Sequence, residues 1–145
     1  MNRKIHKFER MVKFQNNKLD ILKQQMASAN SKINSLNVEH EKLVTLLQET
    51  ARQNLAVQTI AILQQIELAM CEIQKQINHN RTELAAAAQA FKMLRDAYLA
   101  QDRKLKSWEK LVEQETEKQI SANNRTEIKQ ADETYLITRF GRELR

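Results

Sequence analysis

The most constraining feature of this chain is a spacing. Ile5, Phe8, Val12, Gln15, Leu19, Leu22, Met26, Ala29, Ile33, Leu36, His40, Leu43 and Leu47 follow one another in alternating steps of three and four. Eleven of these thirteen are apolar. A repeat of that regularity holds one narrow stripe of a helix against a neighbouring helix, the geometry of a coiled coil. A second seam runs through Leu63, Ile66, Met70, Ile73, Ile77, Asn80, Leu84, Ala87, Phe91, Leu94, Tyr98, Gln101, Leu105, Trp108 and Val112, with thirteen of fifteen positions apolar or aromatic. The chain holds no proline and one glycine, so it has almost no turn chemistry. An all-α, elongated single domain of 145 residues is expected.

Between the seams, from Gln48 to Thr59, the heptad phase is lost. One reading is a turn that folds the chain into an antiparallel two-helix coiled-coil hairpin and buries both seams within it. The other is a continuous helix with a stutter, carried by Leu47, Ala51, Leu55, Thr59 and Leu63, which would dimerise. The scarcity of glycine and proline favours the second, and the polar run Gln48–Asn54 favours the first. In the hairpin, helix one covers about 2–48, the turn about 49–56 and helix two about 57–140. A turn centred near Asn54 sets Leu43 against Leu63, Leu36 against Met70, Leu22 against Leu84 and Phe8 against Tyr98, with Phe91 in the same core. Residues 101–145 would then overhang the first helix, and a bare helix gains nothing from an apolar face unless a partner covers it.

Polar residues interrupt the seams at Gln15, His40, Asn80 and Gln101. Such residues commonly set register, at some expense of stability. Charge is uneven. Residues 1–13 carry Arg3, Lys4, Lys7, Arg10 and Lys13 against Glu9, a basic end suited to an acidic surface, although a solvated helix reads the same way.

Several functions are disfavoured. No glycine-rich loop exists to cradle phosphate, so no nucleotide cofactor is expected. His6, His40, His79 and Cys71 never reach metal-ligand spacing, and a two-helix rod offers no pocket for a nucleophile. Cys71 beside Met70 reads as a half-buried core residue, and as the single cysteine it fits a reducing compartment. No run approaches the length of a membrane span, and the start lacks an apolar signal core. Acids intersperse the basic runs beyond residue 13, so a nucleic-acid-binding arm is a minor alternative.

The run KLKSWEKLVEQE, Lys104 to Glu115, followed by NRTEIKQADETYLITRF, Asn124 to Phe140, resembles the C-terminal half of the flagellar export protein family FliJ, to which the stalk proteins of injectisome type III secretion are similar. The elements that match are Leu105, Trp108 and Leu111, then Arg125 and Glu127, then Asp132 and Glu133 ahead of Arg139 and Phe140. The resemblance implies an antiparallel helical hairpin like the central stalk of a rotary ATPase. It implies a non-enzymatic coupling role, with the export ATPase ring, the export gate and export chaperones as partners, at the cytoplasmic side of the export apparatus.

On that resemblance, ATPase contacts are expected from Arg3, Lys4, Lys7 and Arg10 at the basic end, and from Arg125, Asp132, Glu133, Tyr135, Leu136, Arg139 and Phe140 in the tail. A gate-binding face would fall at Ala69, Ile73, Gln76 and Asn80, of which Ile73 and Ala69 keep the apolar character. Gly141 fits a helix stop. The alternative from the residues alone is a purely structural homodimeric coiled coil. Flagellar and injectisome membership both stay open at this point.

Overall fold

The computed structural model describes residues 2–56 and 59–143. It consists of two helices, α1 (Asn2–Asn54) and α2 (Ile60–Glu143), packed against each other as a hairpin, with no strand among the described residues. The continuous-helix alternative is thereby excluded, because the chain reverses between Asn54 and Ile60.

The reversal is made without glycine. At the end of α1 the Leu55 amide donates to the Arg52 carbonyl and the Ala56 amide to the Gln53 carbonyl, both at 3.2 Å. These three-residue steps tighten the last turn and satisfy carbonyls that the helix leaves open. Arg52 adds a cation in that turn, where the helix dipole favours one. Thr59 stands directly before α2, and its carbonyl accepts the first helical bond from the Leu63 amide at 3.1 Å. No described residue has positive φ.

Helix one therefore runs six residues beyond the expected 48, and the expected turn at 49–56 is mostly helix. Thr50 is buried there, its hydroxyl donating to the Leu46 carbonyl at 2.8 Å, and Ala51 and Asn54 are half-buried. Within the polar run Thr50 is bonded internally and Ala51 is small, so both continue the helix, whereas Asn54, whose buried Oδ1 has no partner among the described residues, is its last residue. Residues 57 and 58, placed at the start of helix two by the sequence, lie outside the described residues.

Contacts group the chain into two units, Asp20–Leu99 and Met1–Leu19 with Ala100–Arg145. In the first, Leu43, Ile73 and Ile77 form a buried cluster with Val44 and Leu47 packed against it. Leu22, Leu63, Met70, Leu84, Phe91 and Tyr98 are half-buried along the same seams, and Leu36 is buried. Asn80, 2% exposed, donates from Nδ2 to the Leu36 carbonyl at 3.2 Å.

In the second unit Leu19 and Leu105 are buried. The Phe8 and Trp108 rings meet at 5.8 Å between centroids, tilted by 60°. Gln101 donates from Nε2 to the Gln15 carbonyl at 3.1 Å and also to Gln15 Oε1, while Gln15 Nε2 donates to the Met11 sulfur at 3.6 Å.

The register differs from the sequence expectation. Leu43 packs with Ile73 rather than Leu63, Leu36 meets Asn80 rather than Met70, and Phe8 meets Trp108 rather than Tyr98. Each partner lies ten residues further along α2. The reason is geometric: in an antiparallel hairpin, moving the turn by n residues moves every pairing by 2n. An apex five residues later accounts for the whole offset.

Candidate functional site

The same shift relocates the uncovered part of α2. Gln101, Leu105, Trp108 and Val112 face helix one, and the three-four step continues through Glu115, Gln119 and Ala122, all half-buried. Lys4 closes this stretch. Its ammonium lies 3.5 Å from Glu115 and 5.9 Å from the Phe8 ring centre. The expected uncovered stretch of 101–145 thus loses residues 101–122, because helix one reaches ten residues further along α2 than supposed.

From Asn123 to Glu143 every residue is exposed although the helix continues. That segment would be about 30 Å long at ~1.5 Å per residue. Its large apolar side chains stand in solvent: Ile128, Tyr135, Leu136, Ile137 and Phe140, with Tyr135 64% exposed and Phe140 59% exposed. Helical spacing sets Tyr135 one heptad from Ile128 and Phe140 one turn from Leu136, with Asp132 and Arg139 between the two pairs. Ile137, three residues before Phe140, lies beyond the Phe140 edge of this arc.

The Thr126 and Thr138 hydroxyls donate to the Ala122 and Thr134 carbonyls at 2.9 Å. Arg139 Nε lies 3.7 Å from Glu143 Oε1, an exposed pair worth little to stability. A large amphipathic helical face without internal cover is a surface for another helix or groove. Gly141 does not end the helix, which continues to Glu143, and its φ is not positive.

The candidate residues fall into separate places. Arg125 lies beside Ser121 and Ala122 at the foot of the bare segment, and Asp132, Glu133, Tyr135, Leu136, Arg139 and Phe140 lie along it, all exposed. Lys4 is turned onto α2, whereas Arg3, Lys7 and Arg10 share a groove with His6 that no residue of α2 lines. Of the gate candidates, Ala69 and Gln76 are exposed, but Ile73 and Asn80 are buried against helix one. The latter two hold the hairpin together and present nothing outward. Cys71 is exposed rather than half-buried, one position off the seam residue Met70.

Glu115, Gln119 and Ala122 were missed as seam positions because two of them are polar. Their three-four spacing beyond Val112 was the available signal. No described group of His, Cys, Asp and Glu could hold a metal ion, and no described helix is long and apolar enough to cross a membrane.

Two antiparallel helices packed along heptad seams define a coiled-coil hairpin. The chain belongs to the FliJ family: the family model described as Flagellar FliJ protein matches residues 5–145. Membership makes it a component of the flagellar export apparatus and settles the choice that the sequence left open with injectisome proteins. The family is not known as one of enzymes. No curated protein and no solved structure matches the chain.

Proposed function

We propose that this protein is a central-stalk-like coupling element of the flagellar export apparatus, with the bare end of α2 docking into the ring of the export ATPase. The observation that carries this is the exposure of every residue from Asn123 to Glu143, with Tyr135, Leu136 and Phe140 among them. A helix stays formed in water at that length only with help, and here it extends a packed hairpin. Asp132, Glu133 and Arg139 supply charges around the apolar arc, and Arg125 stands at its foot.

The hairpin acts as a lever without catalysing anything, and works at the cytoplasmic side of the membrane. A gate protein would reach the early part of α2 through Ala69 and Gln76, which are exposed. Export chaperones are further partners of the same helical surfaces.

The test is removal of residues 124–145 followed by a pull-down on the purified export ATPase. Binding is expected to be lost while the far-ultraviolet spectrum keeps the helicity of the remaining chain. Replacing Arg139 and Phe140 together should weaken binding more than replacing the exposed Lys32. Unchanged binding by the truncated chain would remove the tail from the interface.

A further inference from the structure

The beginning of α1 carries a second surface that the tail does not use. Arg3, Lys7, Arg10, Phe14 and Lys18 follow in steps of four, three, four and four, so they form one row along the helix, and all are exposed. Phe14 is 52% exposed, and the Lys18 ammonium stands 4.5 Å from its ring centre. Arg3, Lys7 and Arg10 have no ion-pair partner among the described residues. The nearby carboxylates are turned elsewhere: Glu9 pairs with His6 at 3.5 Å, and Glu115 pairs with Lys4 on the side facing α2. Two shallow grooves on the row, one against Arg3 and His6 and one against Met11 and Phe14, are lined by α1 alone.

We propose that this row docks on the anionic surface of a lipid bilayer. Four unpaired or ring-stacked cations on one convex face, without an acid among them, match a diffuse sheet of negative charge. Phe14 supplies an aromatic ring at the level where headgroups meet acyl chains, and long Lys and Arg stems let their charges stay in water beside it. Nucleic acid fits less well, since single strands are held by several stacking aromatics in series, whereas this row has one.

The test is sedimentation of the full chain with vesicles of phosphatidylcholine alone and with equimolar phosphatidylglycerol. Binding is expected only to the anionic vesicles and should fall as salt rises. The triple variant R3Q/K7Q/R10Q should lose about a hundredfold in partitioning, at roughly fivefold per cation near an anionic surface. Phe14→Ser should lose several-fold, and Lys42→Gln nothing. All these side chains are exposed, so helicity measured by circular dichroism is expected to be unchanged. Equal binding to both vesicle types, no binding, or a triple variant within about threefold of the wild type would overturn the proposal. So would tighter binding of duplex DNA than of the anionic vesicles.

Discussion

Replacing Asn80 by leucine should make the hairpin more stable and less certain of its register. Asn80 is 2% exposed, and only half of its amide is satisfied: Nδ2 reaches the Leu36 carbonyl at 3.2 Å, while the buried Oδ1 has no partner among the described residues. An orphaned buried acceptor costs about 1–3 kcal/mol, and the hydrogen bond that would be lost contributes about 0.5–1.5 kcal/mol. The Leu36 carbonyl lies inside α1 and keeps its helical partner, so the substitution strands nothing. The net expectation for Asn80→Leu is a gain of about 1–2 kcal/mol, read as a raised denaturant midpoint. The second effect follows from the seam. With leucine at 80, the neighbours Ile77 and Leu84 no longer differ in kind from it, and a slide of one heptad becomes cheaper. Spin labels at the exposed positions Glu39 and Gln76, in a Cys71→Ser background, report that slide. The wild type should give one narrow distance, and the variant a second population at longer distance, from an axial slide of ~10 Å, seven residues at ~1.5 Å each. A single narrow distance in the variant would refute the register role. A lowered midpoint would refute the energetic argument.

Core truncation should separate the seam from the bare helix. Ile77→Ala removes side-chain atoms from a site 2% exposed against Leu43, and a loss of about 2–4 kcal/mol is expected, whereas Ile137→Ala at a site 72% exposed should change stability by less than ~0.5 kcal/mol. Comparable losses at both sites in chemical denaturation would contradict the assignment of the core. Phe8→Ala should red-shift the emission of the single tryptophan, Trp108, because the ring 5.8 Å away leaves and water enters, and should lower stability by about 2–3 kcal/mol for a half-buried ring. An unshifted spectrum would break the Phe8–Trp108 register.

The periodicity identified which residues face inward but not which residues face each other. All thirteen positions of the first seam and all fifteen of the second are buried or half-buried, Gln15, His40, Asn80 and Gln101 included. Heptad spacing reports the direction of a side chain on its own helix, and that survives any choice of turn. Pairing depends on the turn, whose place was inferred from a polar run. Thr50 satisfied its hydroxyl on Leu46, so the helix ran on and every pairing moved by ten residues. The tail residues were legible as a surface because Asp132, Tyr135, Leu136, Arg139 and Phe140 keep helical spacing off any seam. Where that surface begins was not legible, because Glu115 and Gln119 look like solvent residues until Lys4 is seen against Glu115. Of the gate candidates, Ile73 and Asn80 are also seam positions, so the heptad spacing already marked them as inward-facing, and both are buried.

The bare helix also has an energetic logic that the hairpin supplies. Starting a helix is the unfavourable step, since the first turn fixes several residues for one hydrogen bond, while extension adds a bond for each residue fixed. Gln101–Ala122 are already helical and packed against helix one, so the segment beyond Asn123 begins past that step. Its backbone carries no proline, and its only glycine stands two residues from the end of α2. The side chains that would interrupt such an extension are few, and two of its threonines turn their hydroxyls back onto the preceding turn. An exposed apolar arc on a preformed helix gives up less conformational entropy on docking than one on a disordered strand, so more of each apolar contact remains as affinity. The seam thus stabilises the hairpin and also holds the adjoining surface in helical form.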